Sequence, residues 1–192
     1  MTNQELLAVF TRLGVLQTGH FELTSGLHSE QYMQCARLFE YPREASDVVE
    51  ALQAQLPEGI ETVIAPAIGG ITVGYELARL LGCRFIFAER QEKKMAFRRG
   101  FTLTVGERVL AVEDVVTTGG SVREVVELAR ASGAEVLGVA TIVDRSQGQA
   151  DFGVPFYPLM STEIRVFHPE QCPLCEAGVA LQSPGSRKTD LR

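Results

Sequence analysis

Four apolar runs of strand length, with helix-period patterns between them, constrain this chain more than any other feature. They are Thr62–Pro66, Cys83–Ala88, Arg108–Val112 and Ala134–Val143. A strand that is apolar at successive positions is covered on both faces, which means a parallel sheet flanked by helices, an α/β fold. The helical patterns agree. Pro42 can open a helix in which Ala45, Val48, Val49 and Leu52 recur at helical spacing. Gly74, Ala78 and Leu81 share a face after Gly69–Gly70, and Val122, Val125, Val126 and Ala129 share another. Phe156–Leu159 is read as the last strand. Ligands of such sheets bind beyond the carboxyl ends of the strands. The loops after Pro66, Ala88, Val112 and Val143 are therefore where chemistry is expected.

Before the sheet lies a smaller region. Thr2 and Glu5 have the spacing of a capping box, Leu6, Phe10 and Leu13 share a helical face, and Gly14 ends that pattern. Phe21–Leu23 and Glu30–Gln34 can form short strands around the turn Thr24-Ser25-Gly26. At 192 residues the chain is read as one domain, with a hood of about residues 1–40 plus a C-terminal part, and a core of about 42–160. Beyond Gln171 the pattern fades, and the polar tail of about 182–192 is expected to be mobile.

Composition excludes several function classes. A chain that is 45% hydrophobic and 22% charged can bury a real core. The net charge of −6 argues against a nucleic-acid binder working by bulk charge. Val136–Val143 is too short to span a bilayer, and Met1–Glu5 lacks a basic-then-apolar leader pattern. Cys35 and Cys83 sit singly in apolar patterns and are read as reduced packing residues. The expected location is the cytoplasm, with no nucleic-acid or membrane partner.

The strongest chemical signal is the run Val109 to Ser121. A buried strand ends in Glu113 and Asp114, and then Val115-Val116-Thr117-Thr118-Gly119-Gly120-Ser121 opens a helix. Glycines that permit close backbone approach, hydroxyl donors and a helix N-terminus make an anion cradle. Two acids beside a phosphate would repel it. They are useful if they accept hydrogen bonds from sugar hydroxyls or help to hold a divalent cation. A ligand with a phosphate, a diol and a metal satisfies all three features. The loop has no Gly-Lys-Ser/Thr of a Walker motif, and no Gly-x-Gly-x-x-Gly follows any expected strand.

Glu113–Ser121 with its strand resembles the 5-phosphoribosyl diphosphate (PRPP) motif of the type I phosphoribosyltransferases. Phe21 to Gly26, Ser29 to Tyr32 and Asp144-Arg145 resemble, more narrowly, the orotate phosphoribosyltransferases, over roughly residues 1–180. The resemblance implies a type I phosphoribosyltransferase fold, a central mostly parallel sheet with a small N-terminal hood. It implies transfer of phosphoribose from PRPP to orotate with Mg2+, giving orotidine 5′-monophosphate and pyrophosphate. Glu113 to Ser121, with Gly69 and Gly70, would bind PRPP. Arg145, Thr117, Ser25 and Gly26 would bind orotate, whose carboxylate suits a planar guanidinium fork. Mg2+ would arrive with PRPP rather than on a dedicated set of side-chain ligands, Asp114 being the one candidate ligand. Arg145 taken alone could equally be a structural salt bridge, and a phosphoribosyltransferase for another base or a PRPP-sensing regulatory protein is the alternative reading.

Glu89–Gly100 carries Arg90, Lys93, Lys94, Arg98 and Arg99 in a span that otherwise reads as loop. A concentration of cations in an acidic chain is either a solvated loop or a lid over the leaving pyrophosphate. The resemblance implies the second, with the loop reaching into a neighbouring subunit and so a homodimer with shared active sites. Arg90 and Lys94 are the catalytic cations expected, with Asp114, and Lys93 is expected to contact PRPP. Three departures stand out: Thr24 and Gly69 occupy positions where many relatives carry lysine, and no histidine lies between Glu89 and Gly100. Arg98 and Arg99 are candidates to compensate, and no strong general-acid step is expected in the lid.

One motif is left over. Cys172-Pro173-Leu174-Cys175, with His168 four residues earlier, resembles part of a zinc site. Three candidate ligands do not complete one, so packing is the favoured reading, ahead of zinc or a redox pair.

Overall fold

The computed structural model describes residues 1–23, 25–92 and 94–184. Five helices are named here: α1 (Asn3–Arg12), α2 (Pro42–Gln53), α3 (Gly69–Leu81), α4 (Gly120–Ala131) and the single turn α5 (Pro173–Glu176). The strands are β1 (Leu16–Glu22), β2 (His28–Met33), β3 (Thr62–Pro66), β4 (Arg84–Gln91), β5 (Lys94–Phe97), β6 (Arg108–Val116), β7 (Glu135–Asp144), β8 (Phe156–Ser161) and β9 (Val166–Phe167). The capping box forms as its spacing requires. The Thr2 hydroxyl accepts from the Glu5 N–H at 3.3 Å, and the Glu5 carboxylate accepts from the Thr2 N–H at 2.7 Å.

The main sheet runs β5–β4–β3–β6–β7–β8, parallel throughout except for the edge strand β5. Its strands alternate between two cores. Val63, Ala65, Leu110 and Val112 face one cluster with Val48, Val49, Leu52 and Leu77 of α2 and α3. Ile64, Val109 and Ala111 face the other, with Val122, Val125, Val126 and Ala129 of α4. From β3 the chain crosses through α3 outward to β4, and from β6 through α4 in the opposite direction to β7. Right-handed crossovers in opposite directions put their helices on opposite faces. The gap between β3 and β6 is thus the topological switch point, where the carboxyl ends open a crevice.

The second sheet, β1–β2–β9, is antiparallel and small. β9 corrects the expectation that Phe156–Leu159 ends the strands; two residues are too short to show a period. The tail expectation also changes at its start. The Gln182 N–H donates to the His20 carbonyl and the Glu22 N–H to the Gln182 carbonyl, both at 2.8 Å. Residues 185–192, the rest of that tail, lie outside the described residues.

Two further expectations are corrected. The basic span is a β-hairpin rather than a loop: β4 runs on to Gln91 and β5 returns against it, pairing Ala88 with Phe97 and Gln91 with Lys94. Met95 is buried and Phe97 packs against the α4-side core, while Lys94 is exposed. β6 does not stop at Val112 either. It keeps pairing with β7 through Val116–Asp144, so the two acids lie on the strand itself.

Leu110 is fully buried at the middle of β6. Leu110→Ala should therefore cost about 2–5 kcal/mol, whereas Val105→Ala, at an exposed position, should stay within about 0.5 kcal/mol of wild type. Urea unfolding of the two variants checks both values.

Candidate active site

The crevice at the switch point collects most of the residues the sequence singled out. β6 delivers Glu113 and Asp114, and Gly119 then turns the chain with φ +71° to cap α4. A Cβ at Gly119 would also come within 2.8 Å of the Phe152 ring, so space and backbone conformation both favour glycine. Among the described residues no side chain caps α4, which leaves its first-turn N–H groups facing a cleft lined by Glu113 and residues 115–122. Those donors and the helix dipole make the cleft attractive to a phosphate.

The turn after β3 closes the other side. It contains a cis Ala67–Ile68 peptide and then Gly69. A Cβ on Gly69 would lie 2.9 Å from Asp114 Oδ1, and one on Gly70 would lie 3.1 Å from the Val112 carbonyl. This close approach gives a physical reason for glycine at position 69.

The acid pair is electrostatically uncomfortable. Burial, and then the neighbouring Asp114 carboxylate, push the Glu113 carboxyl up to about 9. Burial also raises Asp114, although its Oδ1 accepts from the Val115 N–H at 2.9 Å. Such a pair holds a proton at neutral pH and would exchange it for hydroxyl donors or a cation, so the donor set fits a diol and a divalent ion.

Arg145 follows β7, and its N–H donates to the Val116 carbonyl at 2.8 Å, which fixes it beside the end of β6. Its Nε is buried without a hydrogen-bond partner among the described residues. Burial lowers its pKa, with Cys35 and Tyr32 nearby acting in the opposite direction. Tyr32 lies on β2, so Arg145 is within electrostatic reach of the hood. Asp144 shapes the same loop by accepting from the Ser146 N–H at 2.8 Å. Ser25 and Gly26 lie exposed at the tip of the β1–β2 hairpin, with no hydrogen bond to Arg145 among the described residues. Thr24, in that turn, lies outside the described residues, as does Lys93.

The basic hairpin leans on α4 beside the cleft. Arg90 forms a bidentate pair with Glu124 at 2.8 and 3.0 Å. Arg99 pairs with Glu89 at 2.8 and 3.0 Å and lies over the Phe87 ring, so it braces the base of the hairpin. Arg98 and Lys94 are exposed.

This geometry agrees with the comparisons. The family model for a phosphoribosyl transferase domain matches residues 42–176. An orotate phosphoribosyltransferase of Caldanaerobacter subterraneus subsp. tengcongensis is 52% identical over 98% of this chain and the whole of that protein. The chain belongs to the orotate phosphoribosyltransferases. The crystal structure of the family member from Aeropyrum pernix superposes with a TM-score of 0.72 at 26% identity, covering 81% of this chain and 93% of that one. An adenine phosphoribosyltransferase from Rhodothermus marinus, 19% identical, shares the fold with a TM-score of 0.66 over 82% of this chain and 99% of its own.

One grouping was missed in this orotate phosphoribosyltransferase sequence. Cys172 and Cys175 meet His20 and His28, not His168, which is exposed. The two histidines stand in separate strands of the hood, far from the cysteines in sequence, so spacing gave no signal.

The acids generate a pH prediction. A carboxyl whose folded pKa lies above its unfolded value binds more protons in the native state, so its contribution to stability falls as pH rises from about 4.5 towards 9. Glu113→Gln removes that slope. In thermal melts without ligand, the variant should gain on wild type steadily between pH 5 and pH 8.5, by about 2–4 °C for each kcal/mol relieved. An unchanged difference across that range would place the proton elsewhere.

Proposed function

We propose that this chain catalyses transfer of the 5-phosphoribosyl group from PRPP to orotate, releasing pyrophosphate and forming orotidine 5′-monophosphate, a step of de novo pyrimidine synthesis. Arg145 is the observation that carries the choice of base. A half-buried guanidinium beside the phosphate cleft, with a buried Nε left unpartnered, suits a planar carboxylate. The full-length similarity to orotate phosphoribosyltransferases supports the same base.

The roles follow from position. The N–H groups and hydroxyls of Thr117 to Ser121 take the 5′-phosphate. Glu113 and Asp114 accept from the ribose hydroxyls. The backbone N–H groups of Gly69 and Gly70 take the pyrophosphate. Arg145 and Thr117 hold orotate, which the Ser25–Gly26 turn covers from the hood. Magnesium bound with PRPP would neutralise charge on the leaving group, with Asp114 the side chain placed to help hold it. The reaction needs a ribose with oxocarbenium character, so the chain's work is alignment, water exclusion and stabilisation of the departing charge. Arg90, Lys93 and Lys94 supply cations for that charge.

A homodimer is part of this reading. Ile68, Tyr75 and Tyr41 are exposed, and Tyr75 borders an apolar groove lined also by Phe39, Pro42, Ala45 and Ile71. A second copy covering that face would shield them. Among the described residues no helix is long and apolar enough to cross a membrane.

Loss of orotate ultraviolet absorbance that requires protein, PRPP and magnesium together tests the activity; pyrophosphate release with another base alone would move the substrate. Arg145→Ala should raise the orotate KM about 10- to 100-fold, the loss of a charge-assisted pair, with PRPP affinity little changed. Arg145→Lys should not restore it. Lys94→Ala should lower kcat on the order of 100-fold. If Lys94 acts on the partner's site, mixed dimers of Lys94→Ala and Asp114→Asn chains should recover about half the wild-type activity per dimer, through one intact composite site. Mixed dimers as inactive as either parent would place Lys94 in its own subunit's site.

A further inference from the structure

We propose that His20, His28, Cys172 and Cys175 form a structural zinc site that staples the C-terminal segment to the hood. Each of the four side chains offers one donor atom, and these atoms all lie within 4.8 Å of one another. His28 Nδ1 is 3.0 Å from His20 Nε2, Cys172 Sγ is 3.5 Å from His20 Nε2, and Cys175 Sγ is 3.7 Å from His20 Nε2 and 3.3 Å from His28 Nδ1. Zinc at about 2.0–2.1 Å from nitrogen and about 2.3 Å from sulfur puts tetrahedral neighbours about 3.3 Å apart for N and N and about 3.5 Å apart for N and S. These four edges lie within about 0.3 Å of those values, the whole set of donor atoms spans no more than 4.8 Å, and both cysteines are free of disulfides.

Hydrogen bonding alone accounts poorly for the cluster. His20 Nδ1 is 2.7 Å from the Val179 carbonyl, which can only accept, so the ring proton sits on Nδ1. That leaves one lone pair on Nε2, and an imidazole and two thiols crowd it. One lone pair takes one donor well, whereas a cation takes a lone pair from each of four ligands. The His20–Val179 bond is also the outer contact that orients a metal-bound imidazole. Two imidazoles and two thiolates in a tetrahedron select zinc among common divalent ions. With four protein ligands the site is closed, which makes it structural rather than catalytic.

The fold gives the metal a task. Of residues 168–184 only Cys172 is buried, so apolar packing alone cannot hold this stretch against the hood. The ligands reach from β1 and β2 to both ends of the Cys-x-x-Cys turn around α5. His20, His28 and Cys172 are buried and Cys175 is exposed, which leaves an entry path for the ion.

Metal analysis of untagged protein, desalted after purification, should find one zinc per chain. Protein stripped by a chelator under reducing conditions should melt several degrees lower and recover on adding zinc. It should bind cobalt(II) with the strong visible bands of a tetrahedral site and a thiolate-to-cobalt charge-transfer band. Cys175→Ser and His28→Ala should abolish the charge-transfer signature or the stoichiometric zinc, while His168→Ala keeps both. If those variants fail to fold, the wild-type zinc content and cobalt spectrum still decide. Wild-type protein that purifies without zinc and gives no tetrahedral cobalt spectrum overturns the proposal, as does recovery of Cys172 and Cys175 as a disulfide in metal-free active protein.

Discussion

β6 is gripped along both edges only as far as Ala111, and the active end of the molecule depends on where that grip changes. β3 pairs with it at Val109, Leu110 and Ala111 and then turns away, whereas β7 stays in register to Val116. The last residues of β6 are therefore rigid on one edge and open on the other. Glu113 and Asp114 sit on that half-gripped stretch, and the Gly69 turn folds across from β3 to meet them. Two acids in a loop would relax into solvent. On a strand they are held partly buried, where burial and mutual repulsion raise their proton affinity.

That discomfort is consistent with a cradle prepared for a ligand rather than for its own stability. The cleft combines N–H donors at the start of α4 with acids that favour hydroxyl donors or a cation, so no single simple ion satisfies it. A phosphorylated sugar would supply both an anion and hydroxyl donors. Gly119 and Gly69 serve the same end in different ways: one turns the chain through a left-handed conformation, the other leaves out the Cβ that would strike Asp114.

Much of this was legible because it is local. Continuous apolar strands, helix spacing, the Thr2 capping box and the run from Glu113 to Ser121 each carry their meaning within a dozen residues. What escaped was short or non-local. β5 has four residues, among them Lys94 and Met95, and a two-sided pattern in so short a run is masked by the charges around it. β9 is shorter still. β6 runs on past the acids because its pairing with β7 continues to Val116, although its continuous apolar character stops at Val112. His20 and His28 carried no signal, since each is a single histidine and their partnership with Cys172 and Cys175 is made only by hairpin register and the return of the C-terminal segment.

The hairpin structure of the basic span changes how it can work. A loop can close by refolding at many points, but β4 and β5 are joined by a ladder from Ala88–Phe97 to Gln91–Lys94 and move most cheaply as a unit. Its base is fixed by Arg99 on Glu89 and Phe87, and Arg90 ties it to Glu124, one turn into the helix that caps the cleft. These pairs are exposed, and exposed pairs contribute little stability. They leave the seating of the hairpin to its strand ladder and its buried side chains. Met95, buried on the same hairpin, anchors that ladder to the core.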